Sequence, residues 1–347
     1  MKRSLEWSMD RLARRAPFWL RAAILAGSAV LIEAEPTGRS FRERISEPAW
    51  EATEPVDLLS AWIAAEEPRE DRDLFRKALR AWGERRPGSM GTLLEAAQGA
   101  SPATRADLIS ACGEVGDART VPALLGALEQ DAALSEHALA QLARCGPLLP
   151  AGWTERAGSR LAPWAGHSEE SMATRALDAL AALGCVDQVQ TFAELLNDPR
   201  EKVREAALRG LRKLTGRDAA GEPGPWQAWI AQEREFSRGA LGGQLEDLRL
   251  APVSELADRV RALDGHGLLR NEIAAGVARL LERPEQPVRE LACRRLGASG
   301  SALALAPLLR ALKDEGLQEA AGEALQALTG RVEADWEAWA AACEAAR

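Results

Sequence analysis

At 347 residues the chain has room for two ordinary domains or one extended repeat array. With 46% hydrophobic and 28% charged residues it has the composition of a soluble globular protein, which excludes wholesale disorder. A formal net charge of −8 argues against a general binder of nucleic-acid backbones, which neutralises phosphates with clustered Lys and Arg.

The first 21 residues carry Lys2, Arg3, Arg11, Arg14, Arg15 and Arg21 against Glu6 and Asp10, so the head is basic while the body is acidic. Residues 22–32, AAILAGSAVLI, are uncharged and apolar. Basic segment, short apolar segment and small residues before Pro36 follow the layout of a secretory signal. The apolar run is too short to span a bilayer, where about 20 residues are needed. Residues 1–34 are therefore read as a signal or membrane-anchor segment, with a cytosolic N-terminal helix as the alternative. Export or membrane association is favoured over a cytoplasmic location. Residues 35–49, rich in charge, Pro, Gly and Ser, read as a linker.

From Trp50 onward the pattern is helix, short break, helix. Val121, Leu124, Leu125 and Leu128 form one apolar stripe, and LSEHALAQL from Leu134 supplies its partner. MATRALDAL from Met172 is a further second helix. Val186, Val189, Phe192, Ala193, Leu195 and Leu196 make a first helix closed by Asn197-Asp198-Pro199, and Val203, Ala207, Leu208, Leu211 and Leu214 make the second. Second helices recur roughly every 30–38 residues, a period that means stacked helical hairpins. RDAAGEPGP from Arg217 interrupts the period, Trp226 to Glu235 resumes a helix, and Gly239, Gly242 and Gly243 are expected to break it again. Helices over Val253–Leu263, Leu268–Leu281, Pro287–Gly297 and Ala302–Leu312 then rebuild the array. The expected architecture is an all-α solenoid of antiparallel helical hairpins, divided into modules over 50–235 and 236–347.

One stretch is used twice. VREAALRGLRKLTGR at 203–217 matches LQEAAGEALQALTGR at 317–331, and each is followed by tryptophans three apart, Trp226 and Trp229, then Trp336 and Trp339. Gly216 and Gly330 suit the left-handed conformation that ends a helix. The tryptophans can then fold over the open apolar end of a stack, so both units read as structural caps. With Trp 11, Phe 5 and no Tyr, tryptophan is the principal large side chain of the protein.

GDARTVPALLGAL at 116–128 and NDPREKVREAALRGL at 197–211 resemble HEAT repeats of the short bacterial, phycobilisome-lyase-like kind. The resemblance covers most of residues 88–347 and implies a HEAT-like superhelix. It also implies a structural ladder of Asp and Arg between repeats, matched here by Asp198 and Arg204. Second helices usually line the concave, partner-binding surface in this family, which places Arg105, Arg175, Arg204 and Arg289 on the expected binding face. HEAT-like DNA glycosylases use a basic face of that sort, but Asp107, Asp178, Glu205 and Glu290 stand beside these arginines. Bilin attachment, suggested by the family label, has no further support in the chain.

Catalytic motifs are absent from the sequence. The histidines, His137, His167 and His266, precede Ala138, Ser168 and Gly267, so the His-Glu dipeptides of HEAT-type di-iron hydroxylases are missing. Phosphate-loop, HExxH and GxSxG patterns are missing too. Cys112, Cys145, Cys185, Cys293 and Cys343 form no CxxC pair and read as small buried hydrophobes. No catalytic, cofactor or metal residue is expected. The sequence thus points to a non-catalytic, monomeric scaffold that binds another protein, at the bacterial envelope if residues 1–34 act there. A nucleic-acid-acting protein is the alternative.

Overall fold

The computed structural model describes residues 55–64, 69–85, 89–130, 133–146 and 153–330, with Glu333, Trp336, Ala338 and Ala341 beyond them. The basic head at 1–34, the linker at 35–49, Trp339 and Cys343 lie outside the described residues. Among the described residues every regular element is helical. Seventeen α-helices follow in order: α1 Pro55–Ala64, α2 Arg72–Arg85, α3 Met90–Ala96, α4 Pro102–Val115, α5 Val121–Gln130, α6 Ser135–Leu142, α7 Trp153–Ala165, α8 Glu170–Ala182, α9 Val189–Leu195, α10 Glu201–Thr215, α11 Pro223–Gly239, α12 Leu241–Leu250, α13 Val253–Ala262, α14 Arg270–Ala278, α15 Gln286–Ala298, α16 Leu305–Ala311 and α17 Gln318–Thr329.

The local reasons are legible in α4 and α10. Ser101 accepts a hydrogen bond from the Thr104 amide at 3.2 Å and Pro102 opens α4, so two orphan donors of the first turn are dealt with at once. In α10, Val203, Ala206, Ala207, Gly210, Leu211 and Leu214 are buried on one side, Glu201 sits in the first turn, and Arg212 and Lys213 in the last. Those charges complement the helix dipole at both ends. Gly216 then takes φ +69°, its amide donating to Arg212 O at 2.9 Å.

The chain is an all-α solenoid. Second helices pack in sequence, α2 on α4, α4 on α6, α6 on α8, α8 on α10, and later α13 on α15 and α15 on α17. First helices form the other layer, with α1 on α3, α3 on α5, α9 on α11 and α12 on α14. Buried apolar side chains between the layers fall into two clusters, one ending at Trp226, Trp229 and Ile230 and the other starting at Leu241. Trp62 stacks on Phe75 with ring centroids 4.3 Å apart near the start of the first cluster, and its indole N–H donates to Thr104 Oγ1 at 3.0 Å.

The expected break falls at Gly239, where α11 ends, but it is one residue long, and Gly242 and Gly243 lie inside the next helix. The helix is interrupted by the single turn residue Ala240, φ −102° and ψ −31°, and resumes directly as α12. Leu241 and Leu248 are buried and Leu245 packs on the second cluster, so apolar burial outweighs the poor helix propensity of glycine.

Candidate interaction face and inter-unit junction

Within each unit the second-helix face is cross-braced at each described step. Asp107 on α4 accepts from Arg72 and Arg76 of α2, both at 2.8 Å. His137 on α6 brings Nε2 within 2.8 Å of Ser110 Oγ on α4. Arg175 on α8 pairs with Glu136 on α6 at 3.0 Å, and α10 reaches back to α8 through Arg209–Asp178 and Lys202–Glu170. In the second unit Arg295 of α15 pairs with Asp264 after α13, and Arg289 of α15 with Asp314 before α17. Each pair joins consecutive repeats, so the face is charged but locally matched.

The arginines expected to bind a partner are distributed along this bracing. Arg175 is engaged by Glu136 yet 44% exposed, and Arg289 by Asp314 at 22% exposure. Arg105 is half-buried on α4. Arg204 does not make the expected ladder with the Asp198 carboxylate. Its Nη1 donates to the main-chain carbonyls of Asp198 and Pro199 at 2.8 and 2.9 Å, closing the turn within its own repeat.

The carboxylate of Asp198 belongs to Arg200, two residues on, through Nε and Nη2 at 2.8 Å each. The same guanidinium donates from Nη1 to His167 O at 2.7 Å and Ser168 O at 3.0 Å in the turn of the preceding repeat. Arg200 holds the Asp198 carboxyl below the usual carboxylate range, chiefly by this hydrogen bonding. Arg283-Pro284-Glu285 repeats the device in reverse order: Arg283 binds Glu285 and donates to Ala251 O at 2.7 Å. The signal in the sequence was an acid and an arginine flanking a proline at the end of a first helix.

Both LTGR stretches end their helices alike. Thr215 Oγ1 donates to Leu211 O at 2.7 Å and Thr329 Oγ1 to Leu325 O at 2.8 Å, while Gly216 and Gly330 sit at φ +69° and +68°. Trp226 is 1% exposed, donates to Ala220 O at 2.8 Å and meets Trp229 edge to face with centroids 5.9 Å apart. Trp229 is buried with it, under the guanidinium of Arg217. Trp336 is buried in the second cluster.

The bracing has one gap, between α10 and α13. There α10 meets the turn Gly267–Leu269 instead of another second helix. The guanidinium of Arg270 crosses the gap, donating from Nη2 to Gly184 O at 2.6 Å and from Nη1 toward Leu214 O at 3.4 Å, both at helix C-termini of the first unit. Those carbonyl ends carry the negative pole of the helix dipole and partly balance the buried cation. Burial lowers the pKa of Arg270, and its Nε has no partner among the described residues. His266 Nδ1 lies 2.8 Å from Oε1 of Glu233, which is 4% exposed, and the imidazole stacks on Phe236. Spaces of about 350 Å³ open on either side of Arg270, one bounded by Lys213, Val260 and Arg295, the other by Thr154, Glu155 and Asn271. Two of the three cations around the first space are already engaged, Arg295 by Asp264 and Arg270 by carbonyls.

Among the described residues no group of three or more His, Cys, Asp or Glu is placed to hold a metal ion, and no helix is long and apolar enough to cross a membrane. Cys112, Cys145, Cys185 and Cys293 are buried free thiols. Burial raises all four pKa values, to about 11 for Cys145 and Cys293 and about 12 for Cys185, which suppresses the reactive thiolate. No family model and no curated protein matches this sequence.

Proposed function

We propose that this chain is a HEAT-type repeat scaffold, without catalysis of its own, that binds another protein along its second-helix face. The observation that supports the reading is the bracing of that face: rung after rung of ion pairs fixes consecutive second helices while leaving charged heads such as Arg175 and Arg209 partly exposed. A face held rigid by its own repeats loses little conformational freedom when a partner docks. Locally matched charge favours a protein surface over a phosphate backbone, which requires unpaired cations in register. Residues 1–34 would bring such a scaffold to the cell envelope.

The test is affinity capture with the full chain and with Arg175→Ala and Arg209→Ala variants, scored on one identified partner. Recovery should fall about fivefold or more in the variants while thermal unfolding shifts by no more than a few degrees, since exposed ion pairs contribute only about 0–1 kcal/mol to stability. Undiminished recovery in both variants moves the binding surface off this face. Steeply salt-dependent association with duplex DNA or RNA would overturn the protein-scaffold reading in favour of a nucleic-acid partner.

A further inference from the structure

We propose that the junction between the two helical units is a hinge, bending at Ala240, and that Arg270 is the latch that holds it closed. Three features converge on this.

The covalent connection is built to bend. Gly239, Gly242 and Gly243 fall within five residues of one another around the break between α11 and α12, and all are exposed. A Cβ added at any of them would meet nothing within 4 Å. Packing therefore does not demand glycine there, and its effect is to weaken the helix against bending.

The non-covalent connection is thin. Among the described residues Leu268 alone packs against both apolar clusters. Beside it, Gly267 lies so close to the carbonyl of Thr215 that no side chain fits between them. One of the 350 Å³ spaces borders this contact and the other lies beyond Arg270. Gly297 of α15, for comparison, packs directly on the backbone of Ala324 in α17.

Apart from Phe236 of α11, which stacks on His266 and packs on the second cluster, the remaining contacts are polar and regain hydration on opening. Arg270 faces Gly184 O and Leu214 O and makes no ion pair among the described residues, so closure holds a guanidinium out of water chiefly on carbonyl bonds. His266 and Glu233 make the second polar bridge. Opening returns these groups to solvent and uncovers apolar surface chiefly at Phe236 and Leu268, not across a continuous core. Such an interface has two states of comparable free energy, whereas a fused apolar core has one. The inference goes beyond the binding reading and does not depend on it, because opening can be followed with no partner present.

Amide hydrogen exchange on the full chain tests the proposal. In Arg270→Met, amides at 212–218 and 264–270 should exchange at least tenfold faster, with the interiors of α4 and α17 unchanged and a larger radius of gyration in solution scattering. Exchange unaltered at the junction, or raised evenly through both units, overturns the latch, the second outcome because it marks a general loss of stability. The combined variant Gly239→Ala, Gly242→Ala and Gly243→Ala keeps Arg270 and stiffens the connection. It should slow exchange at the same junction amides at least threefold. An unchanged rate in that variant overturns the hinge at Ala240, and this arm remains decisive if Arg270→Met does not fold.

Discussion

The two LTGR stretches are alike for four residues and then part company. In each, the threonine hydroxyl returns to the carbonyl four residues earlier, and the glycine turns left-handed to accept the end of the helix. After the first, the Thr215 carbonyl is covered by Gly267 of the second unit, Arg270 approaches the Leu214 carbonyl, and Trp226 is driven into the core. After the second, Trp336 is buried against its own unit. Local sequence sets how the helix stops, and distant neighbours decide what that stop is used for.

The largest expected effect separates the two tryptophans. Trp226→Ala removes a side chain that is 1% exposed together with its bond to Ala220 O, and should cost about 4 kcal/mol in denaturant unfolding. Trp336→Ala, at 9% exposure, should cost about 3 kcal/mol and act on the second unit alone. An unshifted midpoint for either variant would count against the cap reading of that tryptophan.

Next in size is the junction side of the first stretch. Gly267→Ala places a methyl group against the Thr215 carbonyl, which is backbone and cannot swing aside, so overpacking of about 2 kcal/mol is expected. The loss should appear as faster exchange at the junction before it appears in global unfolding. Gly216→Ala and Gly330→Ala, by contrast, meet open space and pay only for their left-handed backbone, about 1 kcal/mol each. Equal costs at these two positions would sharpen the comparison. A much larger cost at Gly216 would mean that the junction constrains the turn itself.

How much of this was legible in the sequence follows the same division. Helix periods, the glycine stops after Thr215 and Thr329 and the burial of the four described cysteines are local or compositional signals, and they appear where the pattern puts them. The immediate return to helix through Gly242 and Gly243 was not legible, because burial of Leu241, Leu245 and Leu248 depends on neighbours far along the chain. The ladder was misread for a related reason. Arg204 and Arg200 both lie within reach of Asp198, and which one takes the carboxylate depends on the carbonyls of His167 and Ser168 in the preceding repeat. Arg270 gave no sign at all, since its partners Gly184 and Leu214 are main-chain carbonyls that carry no residue type to recognise.

The smallest expected effect compares the two proline-centred clasps, one in each unit. Arg200 lowers the pKa of Asp198 and Arg283 that of Glu285, in each case mainly through a side-chain hydrogen bond. A carboxyl whose pKa is lower folded than unfolded stabilises the fold above the ordinary carboxylate range, and that contribution disappears as pH falls through the folded value. The cost of Asp198→Asn or Glu285→Gln should therefore be full at pH 7, begin to shrink below about pH 5 and disappear as pH falls through the lowered folded value. Asp198 is 9% exposed and Glu285 37%, so solvent and salt screen the second clasp more. Raising the ionic strength should then erase the Glu285→Gln difference while leaving most of the Asp198→Asn difference in place. Equal salt sensitivity would show that burial does not distinguish the clasps. The reversed order of acid and arginine around the proline would then be a true equivalence, with each arginine holding the preceding turn by its carbonyl bonds alone.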